Sequence, residues 1–277
     1  MPTDIPGQVY LCQVSKTVSC GACCGLYNIP DVSRSGVTSL LQRRTEELRT
    51  IPRTEDDLDD FALQELRRIG NYKPYPNFYH CPFLGLIGPE QSRVGCLLHP
   101  LVPENNGLDL RGYSYYGAAA CRLYFCPSHS RLPARFKRIL QITVPDWYLY
   151  GLLITEHRLV NVLFSTIEER LGRRLTQADF AGHDQARLAL QPLLTLKETW
   201  PYRSAVSPGP CHYVFEDGEY PRPETTYPLK TQAGSPFSRI FSRIFDELDS
   251  TFTTPKELHQ AEAHLEALLS SLVQALY

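Results

Sequence analysis

The chain has 277 residues, of which 43% are hydrophobic and 21% charged, values that are typical of a soluble globular protein. Its net charge of −2 gives no electrostatic basis for binding nucleic acid or an acidic membrane surface. No run reaches the roughly 18 uncharged apolar residues that a membrane helix needs, and residues 1–7 lack the basic and apolar regions of a signal peptide. We therefore expect a cytoplasmic protein without nucleic-acid or membrane partners, and the sequence leaves a protein partner open.

The nine cysteines are unevenly distributed, since eight lie in the first 126 residues and only Cys211 lies in the remaining 151. In a reducing cytoplasm, clustered cysteines indicate metal or redox chemistry more often than disulfides. A secreted disulfide protein is the alternative, but the odd number of cysteines and the absent export signal argue against it. Cysteines that serve only as small buried apolar residues would be scattered along the chain.

The densest cysteine motif is the segment Cys20-Gly21-Ala22-Cys23-Cys24-Gly25. A C-x-x-C pair can turn tightly enough for two thiolates to reach one metal ion, and the flanking glycines permit the open backbone that such a turn uses. The Cα atoms of Cys23 and Cys24 must lie about 3.8 Å apart, below the usual disulfide range, so we do not expect these neighbours to pair. Their side chains point in different directions, and at least one of them is expected to face away from an ion bound by Cys20.

Two helices are predicted after this first cysteine block. One runs from about Thr38 to Arg49 and is closed by Pro52. The other has Thr54 as its N-cap, acidic residues in its first turn and Gly70 at its C-terminal cap. The predicted apolar stripe of this second helix consists of Leu58, Phe61, Ala62, Leu66 and Ile69.

A β-hairpin is predicted next, because the apolar runs 83–87 and 94–98 flank the turn-like sequence Gly88-Pro89-Glu90. Such a hairpin would bring Cys81 and Cys96 towards the same end. A third cysteine pair, Cys121 and Cys126, follows in the segment 118–126.

From about residue 131 the pattern becomes helical, with predicted segments at 134–142, 145–171 (broken near Gly151) and 176–196. Residues 201–236 contain seven of the 22 prolines and are expected to be irregular. A final amphipathic helix has Thr254 as N-cap, Pro255 at its first position and Glu257 completing a capping box. We expect its apolar stripe to pack on the body of the protein; the stripe consists of Leu258, Ala261, Leu265, Leu268, Leu269, Leu272 and Leu276.

The three cysteine blocks supply seven candidate metal ligands, and four thiolates are enough for either Zn²⁺ or an iron–sulfur cluster such as [4Fe–4S]. The spacing of the cysteines does not tell zinc from an iron–sulfur cluster. It also does not tell whether the cysteines form one metal site or two. Cys12 and His99 are further candidate ligands, whereas Cys211 is expected to lie apart. Cys126 ranks below Cys121, and Cys12 ranks lower still because the seven residues between it and Cys20 fit no tight turn. The seven candidates are Cys20, Cys23, Cys24, Cys81, Cys96, Cys121 and Cys126.

Several of these motifs resemble those of the YkgJ-type cysteine-cluster proteins, whose signature is C-x-x-C-x-x-C-C. The resemblance covers residues 10–130 and implies a zinc- or iron-chelating domain. Thr17 stands where the first cysteine of that signature belongs, so either Cys12 replaces this ligand or it is lost. Cys126 is additional to the pattern. The matching motifs are Cys20-Gly21-Ala22-Cys23-Cys24, Cys81-Pro82-Phe83-Leu84, Gly95-Cys96 and Cys121-Arg122-Leu123-Tyr124-Phe125.

The sequence therefore predicts a helix-rich α+β protein, with a cysteine-cluster metal domain over 1–130 that includes short strands and a helical domain over 131–277. The predicted function is to hold a Cys-ligated zinc or iron–sulfur centre in a structural or redox role. Two alternatives stay open: an iron–sulfur enzyme resembling the flagellin lysine N-methylases, which use S-adenosylmethionine, and a zinc-stabilised protein-interaction module. The sequence contains neither a glycine-rich nucleotide loop nor the spacing C-x-x-x-C-x-x-C, and it assigns no catalytic residue.

Overall fold

The computed structural model describes residues 5–70, 72–214, 218, 220–228 and 236–277, with side chains in the last range described from Phe241 onward. This part of the chain is helix-rich and contains one two-stranded antiparallel sheet, which confirms the helix-rich prediction. None of its helices combines the length and the apolarity needed to cross a bilayer. The elements are α1 (Arg34–Thr50), α2 (Glu55–Ile69), β1 (Leu84–Ile87), β2 (Arg93–Cys96), α3 (Gly117–Leu123), α4 (Ser128–Arg131), α5 (Ala134–Thr143), α6 (Trp147–Thr155), α7 (His157–Leu171), α8 (Asp184–Thr199), α9 (Pro236–Glu247) and α10 (Pro255–Ala275).

Helix α1 begins four residues earlier than the sequence predicted. The side chain of Ser33 caps it by accepting a hydrogen bond from the Gly36 amide at 3.1 Å, so the helix starts at Arg34 rather than at Thr38. Helix α2 has the predicted caps: Thr54 accepts a hydrogen bond from the Asp57 amide, and Gly70 follows the last turn with a φ of 69°.

The predicted hairpin is confirmed, with Leu84 paired to Cys96 and Ile87 paired to Arg93. It is held on α1 by Thr45, whose hydroxyl accepts a hydrogen bond from the Leu86 amide at 2.7 Å. Gly85 is required here, because a Cβ at this position would lie 2.6 Å from the Thr45 hydroxyl oxygen. These contacts therefore fix the position of the hairpin beside the cysteine segments.

The long predicted helix 145–171 is interrupted at Glu156 and not at Gly151. Gly151 lies inside α6, where the absence of a side chain lets the Tyr27 hydroxyl approach and donate to the Tyr148 carbonyl at 2.7 Å. Glu156 leaves the helical conformation, and its buried carboxylate accepts a hydrogen bond from Lys197 at 2.8 Å. The break in the segment thus coincides with a buried ion pair.

The predicted helix 176–196 also differs in its start. Thr176 and Asp179 form the expected capping box, but it closes only a single 3₁₀ turn, and α8 begins at Asp184. The proline-rich segment contains no helix or strand over its described residues from 201 to 228, where it makes isolated bridges to residues 250 and 251. Residues 215–217, 219 and 229–235 of that prediction lie outside the described ranges.

Two hydrophobic cores organise the protein, and α6 contributes to both. One core unites α5 to α10 and also takes in residues from the segment 9–18. The other surrounds the hairpin, α1 and α2. Every residue of α6 from Trp147 to Ile154 is buried, with Leu149, Tyr150 and Leu153 in the first core and Trp147, Tyr148 and Leu152 in the second. The predicted boundary at residue 130 stays a prediction, since each core draws side chains from both sides of it.

Helix α10 has the predicted capping box and packs on α8. Replacing the fully buried Leu265 with alanine should lower the free energy of unfolding by about 2–5 kcal/mol, because the change removes apolar burial and leaves a cavity. Leu188 on α8 is 72% exposed and serves as the matched control, for which we expect a change below about 0.5 kcal/mol. Urea denaturation measures both values, and equal effects would mean that α10 is not anchored through Leu265.

Candidate metal centre

Eight of the nine cysteines line one cleft of about 1340 Å³. The ninth, Cys211, is buried outside this lining, with its sulfur 3.9 Å from the Thr155 hydroxyl oxygen. The cleft lies where the first cysteine segment, the hairpin and the segment 111–128 meet. Its cysteines are Cys12, Cys20, Cys23, Cys24, Cys81, Cys96, Cys121 and Cys126.

The segment 20–25 forms a single 3₁₀ turn over Ala22–Cys24. Gly25 ends this turn in the left-handed conformation, with a φ of 82°, and a Cβ there would overlap the Tyr79 carbonyl oxygen. Glycine at position 25 therefore lets the cysteine turn lie directly against the segment that leads to Cys81.

Cys12 lies closer to this turn than its sequence offset suggested. The Cys20 amide donates to the Cys12 carbonyl at 2.8 Å, and Gln13 and Ser19 form an antiparallel bridge. The seven intervening residues form a tight loop that folds back on itself and leaves the two cysteine backbones in contact. Cys12 ranks as the weakest candidate only on the premise that these seven residues separate it from Cys20.

Cys81 and Cys96 are brought together as the hairpin predicted. The Cys81 amide donates to the Cys24 carbonyl at 2.9 Å, and the Leu84 amide donates to the Cys81 carbonyl at 3.5 Å. Since Leu84 is the partner of Cys96 in the sheet, the backbones of Cys24, Cys81 and Cys96 are neighbours.

Cys121 and Cys126 are separated by the end of α3. Cys121 is exposed on this helix, with its sulfur 3.1 Å from the Ser114 hydroxyl oxygen. Cys126 follows the helix and lies 3.6 Å from Nδ1 of His129. The two thiols therefore have different surroundings.

Burial keeps most of these thiols protonated at neutral pH. It raises the pKa of Cys81 to about 12 and those of Cys96 and Cys126 to about 11, and nearby thiolates add to each effect. Cys23 is different, because a hydrogen bond from the Cys24 thiol lowers its pKa. A cation that entered the cleft would have to displace thiol protons, and it would relieve the repulsion among the thiolates.

Within the described ranges, no three His, Cys, Asp or Glu side chains already stand in the arrangement of a metal site. A bound ion would therefore require some thiols to change rotamer. His99 lines the cleft, but its Nδ1 accepts a hydrogen bond from the Leu101 amide at 3.1 Å. Its role as a ligand, like those of the cysteines, stays a prediction.

A buried polar chain connects the two central cysteine segments. Nδ1 of His80 donates to the Gly25 carbonyl at 2.7 Å, which leaves Nε2 to accept from Arg44 at 2.8 Å. Arg44 also donates to the Cys81 carbonyl at 3.2 Å and to the Glu65 carboxylate at 2.6 Å. All of these side chains are buried, so the helices α1 and α2 hold the residues that follow Cys24 and precede Cys81.

Sequence reasoning missed Arg44 and Glu65, although their spacing carried a signal. Arg44 lies three residues after the buried Leu41, and Glu65 lies four residues after the buried Phe61, so each falls on the buried face of its helix. The predicted stripe of α2 included Leu66 instead, and that side chain is 38% exposed. A charged residue at an apolar position of a stripe indicates a buried ion pair.

The replacement of Glu65 with glutamine should lower the free energy of unfolding by about 3–5 kcal/mol, because it leaves the Arg44 charge buried without its counter-ion. Glu47 is the matched control: it pairs with Arg43 and Arg68 on the same helices but is partly exposed, and Glu47→Gln should cost at most about 1 kcal/mol. Chemical denaturation at pH 7 compares the two. A mild effect at both positions would show that the buried chain does not hold the fold.

The titration of His80 provides a second test. Burial and the Arg44 charge lower its pKa to about 3, against about 6.5 in an unfolded chain. The unfolded chain binds the proton more readily between these values, so His80 stabilises the fold fully above about pH 6.5 and less as the pH falls towards 3. This one group should contribute a slope of about 1.4 kcal/mol per pH unit.

His80→Gln should therefore show a flatter dependence of unfolding free energy on pH than the wild type over this range. His212, whose pKa burial also lowers, to about 4, contributes equally to both proteins, so the difference between them isolates His80. Parallel pH profiles would contradict the buried, neutral state of His80.

Comparisons with known proteins give no relative for this chain. No family model, no curated protein and no solved structure matches it. The similarity to the YkgJ-type proteins thus rests on the cysteine motifs themselves and stays a prediction, and the cleft is interpreted from its own residues.

Proposed function

We propose that this chain is a metal-binding protein that holds a Cys-ligated zinc or iron–sulfur centre in a structural or redox role. The observation that carries the proposal is the convergence of eight cysteines, from separate parts of the chain, on a single cleft, while Cys211 lies outside its lining. Soft thiolate ligands favour zinc and iron–sulfur clusters over hard cations.

The other residues of the cleft fit the same class of ion. Among its described lining residues the one carboxylate is Glu104, which already accepts a hydrogen bond from Arg49 at 3.1 Å. Calcium and magnesium prefer several oxygen ligands, so the lining does not favour them. Arg111 supplies positive charge near Cys96 and lowers the pKa of its thiol, although burial acts more strongly in the other direction. Such a charge would help to balance bound thiolates.

An iron–sulfur enzyme is the second candidate, and the size of the cleft favours it. Its volume of about 1340 Å³ exceeds the roughly 300–1000 Å³ of typical small-molecule pockets, which leaves room for a substrate beside a metal centre. Tyr10 and Tyr116 lie beside the thiols, as the effect of thiolate charge on both phenol pKa values indicates. When bound, a cluster would supply electron transfer; the tyrosines and arginines would line the space next to it.

Anaerobic purification followed by elemental analysis and a visible spectrum tests the proposal. Brown protein with iron and acid-labile sulfide indicates an iron–sulfur centre, and colourless protein with stoichiometric zinc indicates a structural site. Since metal binding contributes to folding free energy, removal of the metal should lower the melting temperature. Metal-free protein, or an unchanged melting curve after chelation, would contradict the proposal.

Single serine substitutions locate the site. Cys96→Ser should lower the metal content, because Cys96 lines the cleft, whereas Cys211→Ser should leave it unchanged. Elemental analysis of the purified variants provides the measurement, and the melting temperature of each variant before metal loading controls for misfolding. Loss of metal in Cys211→Ser with retention in Cys96→Ser would overturn this assignment.

A further inference from the structure

We propose that the eight cysteines of the cleft form two separate four-thiolate centres. Centre A would consist of Cys12, Cys20, Cys23 and Cys126, and centre B would consist of Cys24, Cys81, Cys96 and Cys121. The inference rests on the proposed metal binding and adds the number of centres and the division of their ligands. Four thiolates complete one zinc or iron–sulfur site, so eight match two.

Centre A is assembled at the N-terminal side of the cleft. The backbones of Cys12 and Cys20 are joined by a hydrogen bond of 2.8 Å, and Cys23 follows Cys20 on the same tight turn. Lys137 links the segment that follows Cys126 to this region, since its ammonium group donates to the carbonyls of Gly7 and His129, each at 2.7 Å.

The fourth ligand of centre A is placed by the same packing. The rings of Tyr10 and His129 have centroids 6.4 Å apart, and the sulfur of Cys126 lies 3.6 Å from Nδ1 of His129. Cys126 therefore belongs with the segment that carries Cys12, five residues of chain away from Cys121.

Centre B is assembled around the hairpin. The backbones of Cys24, Cys81 and Cys96 are connected through the hydrogen bonds of the hairpin and its entry segment. The chain that leaves Cys96 is joined to the next turn by a hydrogen bond from the Leu110 amide to the Leu98 carbonyl at 3.1 Å.

Cys121 is attached to that turn. Its sulfur lies 3.1 Å from the Ser114 hydroxyl oxygen, and its carbonyl accepts a hydrogen bond from Arg111 at 3.5 Å. Cys121 is therefore tied to the Cys96 side of the cleft, whereas Cys126 is tied to the Tyr10 side.

Each proposed centre also has a cation close to one of its segments. The Lys137 ammonium group donates to the His129 carbonyl at 2.7 Å, three residues after Cys126, and Arg111 lines the cleft and donates to the Cys121 carbonyl at 3.5 Å. Two positive charges on different elements, each beside one set of thiols, are expected where two separate thiolate centres carry negative charge.

Titration of the reduced full-length chain with Co²⁺ tests the division, because cobalt bound by four thiolates has intense visible absorption. The wild type should bind two equivalents. Cys126→Ser should lose centre A and Cys121→Ser centre B, so each should bind one equivalent, and the double variant should bind none by this signature. Cys211→Ser is the matched control and should still bind two.

The outcomes are distinguishable from those of the proposed function. No cobalt–thiolate absorption in the wild type would overturn both proposals. One equivalent in the wild type, a measurement that does not depend on the folding of any variant, would leave metal binding intact and overturn the two centres. If the wild type binds two equivalents of cobalt and either single variant binds none, the division into two centres would also be overturned. That result would mean one shared dinuclear site.

Discussion

The buried guanidinium of Arg44 is the constraint on which the arrangement of the cysteine cleft depends. A charge without access to water must be paired, and Arg44 meets this requirement with Glu65, with His80 and with the Cys81 carbonyl. These partners belong to two other segments, since Glu65 lies on α2 and His80 and Cys81 are consecutive, so pairing this one charge fixes α2 and the entry to Cys81 relative to α1. Through His80 the same chain of hydrogen bonds reaches Gly25, at the end of the cysteine turn. These buried polar contacts thus connect the backbone segments that carry Cys24 and Cys81.

Local signals in the sequence predicted much of the fold, but contacts between distant segments decided the rest. The helix caps at Thr54 and Thr254 and the turn at Gly88 depend on residues only a few positions away. The two helices and the hairpin that they predicted are present. The break at Glu156 coincides with an ion pair to Lys197, 41 positions along the chain, and the residues around Glu156 do not indicate it. The early start of α1 does have a local signal, because serine is a favoured N-cap residue and Ser33 directly precedes the helix.

The sequence predicted which cysteines belong together, but not how they are arranged within the cleft. Clustering along the chain grouped the eight cysteines that line the cleft, and Cys211, which the sequence set apart from them, is not among the lining residues. The position of Cys12 depends on a loop closed by backbone hydrogen bonds, which the sequence does not reveal. Cys121 and Cys126 lie five residues apart, and only the packing of Ser114 and His129 shows that their surroundings differ.

Helix α6 has a consequence for how the chain divides. Because Trp147, Tyr148 and Leu152 complete the core around the hairpin, a fragment that stopped at residue 130 would lack part of its own interior. The complementary fragment would lack the apolar residues near position 11 that pack on α5 to α8. Cutting between the cysteine-rich and cysteine-poor halves would expose apolar surface on both pieces. The two halves that composition distinguishes therefore share their interiors, and we expect them to be inherited, exchanged and expressed as one unit.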